Sequence, residues 1–248
     1  MATELQNSSA SEMSFFIRQC DSFGIHLSDG QVRQFLTFYE MMIEKNKVMN
    51  LTSITQLDEV VRKHYLDSLL VIKEISIKDT QSILDLGTGA GFPGIPLKIV
   101  FPEIHITLAD SLNKRILFLN EVIRELGLIH IDTVHGRAED LGRNPKFREK
   151  YDLVLSRAVA NLSTLSEYCL PFVKKDGMFV SYKSSEIEDE FQQSQKAIRV
   201  LGGSCEGLVK DCIPGTELER SFVIVRKVKN TPAKYPRKAG MPGKEPII

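Results

Sequence analysis

The sequence predicts an α/β fold: a mostly parallel, twisted sheet with helices on both faces, an antiparallel closing strand and a helical segment before the sheet. Three observations lead to this prediction. From residue 82 onward, short β-rich runs alternate with helical runs, which is the pattern of right-handed βαβ units. The stretch "SILDLGTGAGFPGIP", residues 82–96, passes from an apolar strand into three alternating glycines. Residues 11–79 show helical spacing.

The N-terminal helices follow from the spacing of apolar residues. A first helix is predicted around residues 15–23. A second runs from Asp29 to about Met49 with Ser28 as its N-cap, because a serine side chain can accept from the free amides of the first turn. A third is predicted over residues 56–75.

The third helix carries three polar side chains on one face. His64, Asp67 and Ser68 lie at i, i+3 and i+4. Either they brace the glycine loop or they line the entrance for a substrate.

The sheet region divides into short runs that are predicted to form strands and helices in alternation. The first strand is SILDL, and further strands are predicted in HITLAD, IDTVHG, YDLVLSRAV and GMFVSYKS. Helices are predicted in GIPLKIVF, LNKRILFLNEVIRELG, LSTLSEYCLPFV and EIEDEFQQSQKAIRVLG, and CEGLVKD with RSFVIVRKV forms a closing strand pair. The predicted domains are an N-terminal helical region packing on the core (1–79), a ligand-binding α/β domain (80–230) and a basic tail rich in Pro and Gly (231–248).

Composition indicates an ordinary globular protein of the cytoplasm. The chain has 32 Lys and Arg against 32 Asp and Glu, so any basic surface must be local. Its 4 cysteines and 5 histidines match neither a zinc pattern nor a disulfide framework, and no metal site is predicted. No run approaches the roughly 18 apolar residues that a membrane span needs, and the N-terminus lacks the pattern of a leader.

The glycine loop restricts the choice of ligand. A glycine turn after a strand can hold NAD, a nucleoside triphosphate or S-adenosylmethionine, or can serve only as a tight bend. The dinucleotide pattern G-x-G-x-x-G fails because Phe92 occupies its sixth position. A P-loop would need Gly-Lys followed by Ser or Thr, which is absent. S-adenosylmethionine and a tight bend remain.

Neighbouring acids favour a nucleoside. Asp85 lies within the apolar first strand, where an unpaired carboxylate would be costly, so it needs a cationic ligand or the amides of the loop. Asp110 ends the second strand, the position from which α/β proteins contact ribose hydroxyls. Ala138 and Glu139 follow the third strand and could border an adenine ring.

Several motifs together resemble one family. The glycine loop, Asp110 and the last strand pair look like the class I S-adenosylmethionine-dependent methyltransferases, a Rossmann-like fold. Within that class the chain resembles the RsmG family, also called GidB (glucose-inhibited division protein B), whose members methylate N7 of one guanine in 16S ribosomal RNA. The resemblance covers roughly residues 11–248 and rests on NLTSI, RKHYLDSL, GTGAGFPGIPL, ADSLNKRILFL, GRAED, SRAVANL and the terminal YPRKAGMPGKEPI.

The resemblance implies S-adenosyl-L-methionine as cofactor, S-adenosyl-L-homocysteine as product and a set of cofactor contacts. Asp110 takes the ribose role by analogy with the wider class, and Gly89 belongs to the same loop. The other contacts carried over are Gly87, Phe92, Ala138, Glu139 and Arg157.

N7 of guanine carries an in-plane lone pair, so its methylation requires no general base. The sequence agrees, because it lacks the NPPY-type motif that serves methylation of exocyclic amino groups and the Pro-Cys motif that serves methylation of C5 of pyrimidines. We therefore expect in-line displacement at the sulfonium methyl, catalysed by positioning. No catalytic residue is assigned; His64, Asp67 and Arg157 are expected to line the site.

The expected partner is 16S rRNA or the 30S ribosomal particle, without DNA or membrane, and the enzyme is expected to be a monomer. Local cations are candidates for contacts to the RNA backbone: the 142–150 loop, Lys114, Arg115, Lys234, Arg237 and Lys238. The tail could instead be a solvated segment. The alternative function is a methyltransferase of the same fold that acts on another rRNA or tRNA position or on a small molecule.

Overall fold

Seven strands form one sheet in a computed structural model of the chain, which describes residues 2–79 and 81–248, with side chains from residue 10. The strand order is β3-β2-β1-β4-β5-β7-β6. Their bounds are β1 Ser82–Leu86, β2 His105–Asp110, β3 Ile131–His135, β4 Tyr151–Arg157, β5 Val173–Lys183, β6 Gly203–Cys212 and β7 Glu219–Lys227.

The sheet is parallel except at one strand. β1 to β5 pair in parallel, whereas β7 lies between β5 and β6 and is antiparallel to both. The predicted fold class is thereby confirmed. The chain winds outward from β1 in both directions, with β2 on one side and β4 on the other. In such sheets the crevice outside the carboxyl ends at this reversal is where ligands bind.

Helices cover both faces of the sheet. Side chains alternate along β1, so Ile83 packs into one apolar cluster while Leu84 and Leu86 pack into the other. The helices are α1 Ala2–Ser22, α2 Asp29–Met49, α3 Leu57–Val60, α4 Asp67–Leu69, α5 Gly94–Val100, α6 Asn113–Glu125, α7 Ala138–Leu141, α8 Leu162–Cys169, α9 Glu188–Val200 and α10 Met241–Lys244.

The second helix begins as predicted. Ser28 accepts from the amide of Gln31, and the Gln31 side chain accepts from the amide of Ser28, which completes a capping box. The third predicted helix is correct in extent but not in type. A π-helical turn, Val61–Leu66, separates α3 from α4, and a 3₁₀ turn follows.

The N-terminal helices join the core of the sheet. Phe16, Phe35 and Tyr65 pack together without exposure, and the Tyr65 hydroxyl donates to the carbonyl of Phe35 at 2.8 Å. The division into three domains stays a prediction. Residues 1 and 80, which open two of the predicted ranges, lie outside the described residues.

Candidate active site

The glycine loop turns at the carboxyl end of β1. The amides of Gly87 and Thr88 both donate to the carbonyl of Ala109 on β2, at 2.8 and 3.1 Å. Gly87 has φ +75°, a left-handed conformation that glycine adopts without steric cost. The loop is therefore fixed against β2, at the reversal of strand order.

Asp85 takes its partners from the loop. One oxygen, Oδ2, accepts from the Thr88 hydroxyl at 2.7 Å and from the Gly94 amide at 2.8 Å. The other oxygen, Oδ1, is buried without a hydrogen-bond partner among the described residues. Burial raises the pKa of this carboxyl to about 6, although the bonds from Thr88 and Gly94 oppose the shift. Asp85 thus presents an unused acceptor at the base of the loop.

Asp110 ties the loop to the next helix. Its Oδ2 accepts from the Gly89 amide at 3.0 Å and from Arg115 Nη1 at 3.1 Å, and its Oδ1 accepts from the Leu112 amide at 2.8 Å. A carboxylate can accept about four hydrogen bonds, so one position is left for a ligand.

A cavity of about 410 Å³ opens beside these residues. Four of the predicted cofactor residues line it together: Gly87, Asp110, Ala138 and Glu139. The lining also includes residues that the sequence reasoning missed, namely Val159 after β4, Tyr168 on α8 and Gly240 in the tail. No spacing signal marks these three, because they reach the cavity only through the packing of distant segments.

Phe92 and Arg157 lie outside that lining, as does Gly89, whose amide donates to Asp110. Phe92 is 4% exposed, and the His64 ring stacks on it with the ring centroids 4.4 Å apart. The Arg157 guanidinium, which bonds His64, lies 5.2 Å from the Phe92 centroid. Their cofactor contacts stay predictions. The structure places Phe92 and Arg157 in a neighbouring cluster, formed by the helical segment and the end of β4.

Asp67 is the centre of that cluster. It is 1% exposed and accepts from Arg157 Nη1 at 2.7 Å and from Arg220 Nε and Nη2 at 2.6 and 3.0 Å. His64 bonds Arg157 through Nδ1 and the Thr52 hydroxyl through Nε2. The three residues at helical spacing are divided: His64 and Asp67 join this cluster, whereas the Ser68 hydroxyl donates to the His64 carbonyl.

Two backbone irregularities accompany the cluster. His64 lies in the π-helical turn, a feature that is frequent at functional sites. Ala158, directly after Arg157, has φ +57°, a conformation that costs a non-glycine residue about 1–2 kcal/mol. Such strain persists where the surrounding contacts impose it, which is common at functional sites.

His64 gives the site a defined pH dependence. Burial, and then the charge of Arg157, lower its pKa from 6.5 to about 3, so the folded protein keeps the ring neutral. As pH falls from 6.5 towards 3, the unfolded chain binds this proton and the folded chain does not, so stability decreases. We expect His64→Phe, which retains a ring against Phe92, to give a shallower loss of unfolding free energy over this range in chemical denaturation.

A comparison of the wild type with His64→Phe separates the contribution of His64 to the pH dependence of stability from that of Asp85. The raised pKa of Asp85 acts in the opposite direction, because it favours the folded protein below pH 3.8 and loses that contribution as pH rises through about 6. Both proteins retain Asp85. An identical slope in the wild type and in His64→Phe would contradict the prediction.

The predicted RNA-contacting cations occupy different environments. Lys114, Lys234 and Lys238 are exposed. Arg115 is paired with Asp110 and Arg237 with the buried Glu167, so both guanidinium groups are engaged within the chain. Their RNA contacts stay predictions, and the exposed lysines are the freer donors.

No helix among residues 2–79 and 81–248 is long and apolar enough to cross a membrane. Within the same ranges, no cluster of three or more His, Cys, Asp or Glu has the arrangement to hold a metal ion.

Residues 31–213 match the GidB family model, described as rRNA small subunit methyltransferase G. The ribosomal RNA small subunit methyltransferase G of Lachnoclostridium phytofermentans is 50% identical over 235 residues, covering 95% of this chain and 97% of that protein. The protein of the same name from Desulforamulus reducens is 53% identical over 221 residues, covering 89% and 92%.

Solved structures share the fold at low sequence identity. Geranyl diphosphate C-methyltransferase from Streptomyces coelicolor, in complex with S-adenosyl-L-homocysteine, matches with a TM-score of 0.51 and 12% identity, covering 65% of this chain and 78% of that chain. TrmN from Thermus thermophilus matches with a TM-score of 0.51 and 15% identity, covering 65% and 48%. At these identities the likeness concerns the fold alone.

Proposed function

The chain belongs to the GidB family of rRNA small subunit methyltransferases, and from this premise we propose that it transfers a methyl group to N7 of one guanine in 16S rRNA by in-line displacement without a general base. The proposed substrate is 16S rRNA, free or within the 30S particle. The proposal includes a monomeric enzyme of the cytoplasm.

The cofactor is S-adenosylmethionine, and the residues around the 410 Å³ cavity fit it. Asp110 keeps one acceptor position for a ribose hydroxyl. Glu139 and Ala138 would border the adenine ring. Asp85 is fully buried and does not line the cavity, so its charge would favour the cationic methionine end from behind the glycine loop and not by contact. When bound, the cofactor supplies an electrophilic methyl group on a sulfonium centre.

The observation that supports N7 is the state of the ionisable groups in the cluster around Asp67. Within the described part of the chain, Asp67 is held by Arg157 and Arg220, and both nitrogens of His64 are within hydrogen-bond distance of a partner. With a pKa of about 3, His64 is also a weak base. A nucleophile that carries its own lone pair needs no proton acceptor. The residues of the chain would instead bind and align the two reactants.

The guanine must leave a regular helix before it can react. N7 lies on the major-groove edge, which is deep and narrow in A-form RNA. The accessible substrate is therefore a loop nucleotide or an extruded base. Exposed cations near the cavity would hold the flanking phosphates.

We predict that Lys114→Glu, Lys234→Glu and Lys238→Glu together weaken RNA binding and flatten its salt dependence. Each lost phosphate contact should reduce the slope of log K against log salt by about 0.7–0.9. Filter binding of 16S rRNA at several salt concentrations measures this. S-adenosyl-L-homocysteine affinity serves as the control and should not change. Unchanged RNA affinity would reject these lysines as contacts.

The test of the proposed function is product mapping. The protein is incubated with radiolabelled S-adenosylmethionine and with unmethylated 30S subunits, naked 16S rRNA or tRNA, and 7-methylguanine is then located by chemical cleavage. We expect label at one guanine of 16S rRNA. Label only in tRNA, or at another atom of rRNA, would favour the alternative substrates, and an absence of label would defeat the proposal.

A further inference from the structure

The C-terminal segment, residues 231–248, is bound along the face of the α/β core. The Thr231 amide donates to Glu149 Oε1 at 2.8 Å, and its hydroxyl donates to the carbonyl of Leu201 at 2.7 Å. Further along, Arg148 Nη1 donates to the carbonyl of Tyr235 at 2.8 Å and Arg143 Nε to that of Pro236 at 2.8 Å. Two cations of the basic 142–150 loop, Arg143 and Arg148, thus hold this segment through hydrogen bonds.

An ion pair fixes the middle of the segment. Glu167 on α8 is 1% exposed, and Arg237 donates to both of its oxygens, with Nε at 3.0 and 3.1 Å and Nη2 at 2.7 Å. The Arg237 amide adds a bond of 2.7 Å. A bidentate pair fixes the relative orientation of its two groups. Because Glu167 is buried, loss of Arg237 would also leave the Glu167 charge uncompensated. The segment has one defined position on α8.

Beyond the ion pair, the segment reaches the cofactor cavity. Gly240 is the N-cap residue of α10, and its amide donates to Glu139 Oε1 at 2.8 Å. The Thr164 hydroxyl donates to the carbonyl of Pro242 at 3.0 Å. Gly240 and Glu139 both line the 410 Å³ cavity. Within the described residues, Glu139 Oε2 makes no hydrogen bond, so it can accept from a ligand.

The segment lies beyond the part of the chain that the family model covers, although the resemblance noted above includes its motif YPRKAGMPGKEPI. The family model matches residues 31–213, so the whole segment lies beyond the matched region. A contact made at the cavity by this segment is therefore not implied by the match.

We propose that residues 231–248 form part of the S-adenosylmethionine site, where the Gly240 amide orients Glu139 and the segment closes the adenine side of the cavity. The exocyclic amino group of adenine is a donor, and the free Oε2 of Glu139 is an acceptor held in place by the bond to Oε1. Gly240 is thus a positioning residue that acts through Glu139. The inference rests on the cofactor placement given above and not on the choice of guanine N7.

The experiment compares full-length variants by calorimetric titration with S-adenosyl-L-homocysteine. Gly240→Pro removes the amide donor and also alters the local backbone, because proline cannot adopt the φ of +82° at Gly240. Arg237→Gln loosens the segment while keeping that amide. We expect each to raise the dissociation constant by about tenfold or more. Lys175→Ala, a change at an exposed residue of β5 whose side chain makes no hydrogen bond among the described residues, is the control and should bind as the wild type does. Thermal unfolding checks that every variant is folded at the titration temperature.

A cycle with Glu139→Ala separates positioning from general destabilisation. If the segment acts through Glu139, Gly240→Pro should cost clearly less affinity when Glu139 is already absent than when it is present. An equal loss in both backgrounds, or no loss in either, would overturn the inference. As a second readout, S-adenosyl-L-homocysteine should slow tryptic cleavage after Lys238 and Lys244. An absence of protection would contradict the proposed role of the segment.

The outcomes for the two proposals are distinct. If Glu139→Ala itself leaves the affinity unchanged, the cofactor placement is wrong and this inference fails with it. Product mapping that finds no 7-methylguanine would reject the proposed function, whereas a loss of affinity in Gly240→Pro would still support the segment as part of the cofactor site.

Discussion

Asp67→Ala is expected to cause the largest loss of stability of any single change in the polar cluster. The substitution removes the carboxylate that forms ion pairs with two guanidinium groups, Arg157 and Arg220, whose side chains are 14% and 22% exposed. Removing one partner of a buried ion pair typically costs about 3–5 kcal/mol. Because both arginines retain some contact with solvent, we expect Asp67→Ala to lower the free energy of unfolding by about 3 kcal/mol.

Chemical denaturation measures this loss as a lower midpoint at an unchanged slope. The control is Glu121→Ala, which breaks the pair of Glu121 with Lys45, where the side chains are 45% and 28% exposed. An exposed pair is worth about 0–1 kcal/mol, so the control should lose far less. A loss in Asp67→Ala no greater than that of the control would show that Asp67 does not hold the cluster together.

The cluster has a functional side as well. Asp67 belongs to the N-terminal helical segment, Arg157 ends β4 and Arg220 lies on β7, so one carboxylate joins three parts of the chain. Its removal should free Arg157 from its place beside Phe92. We therefore expect slower methyl transfer in the fraction of Asp67→Ala that stays folded.

Part of the proposed cofactor cavity could be predicted because Gly87, Asp110 and Glu139 are placed by local pattern and strand order. Gly87 follows β1 and Asp110 ends β2, two strands that the apolar pattern identifies, and parallel strands bring their carboxyl ends to one edge. Adjacent pairing of β1 with β2 then places the two residues side by side. Glu139 follows β3 by the same rule.

The rest of the site depends on tertiary packing that leaves no periodic signal. Arg220 lies 153 residues from Asp67 in the sequence, and the two meet only because β7 inserts next to β5. The orientation of Phe92 towards the helical segment is likewise set by the packing of His64 against it. Composition marked the tail as basic, but it could not show that Arg237 pairs with Glu167.

Gly87→Ala is expected to abolish most cofactor affinity. The new Cβ would lie 2.4 Å from Cγ2 of Val159, well inside van der Waals contact, and φ +75° is a conformation that alanine adopts only at a cost of about 1–2 kcal/mol. Both residues line the cavity, so relief of the clash must change its shape. We expect calorimetric titration to show at least about a tenfold loss of S-adenosyl-L-homocysteine affinity.

Gly127→Ala is the matched control for the backbone cost. Gly127 has φ +61° and a Cβ there would meet no atom within 4 Å. It does not line the 410 Å³ cavity. We expect a comparable loss of stability with wild-type affinity. If Gly87→Ala also binds as the wild type does, the glycine loop is not a wall of the cofactor site.

The double variant Gly87→Ala with Val159→Ala separates the steric contribution from the conformational one. Removing the Val159 methyl groups eliminates the atom at 2.4 Å but leaves φ at position 87 unchanged. Affinity should therefore recover in part while the cost of the left-handed alanine stays, which makes the two changes non-additive in binding. Additive losses would mean that the loop and the Val159 segment contribute to the cavity independently. Partial recovery would establish that β1 and the end of β4 set the width of the cavity together.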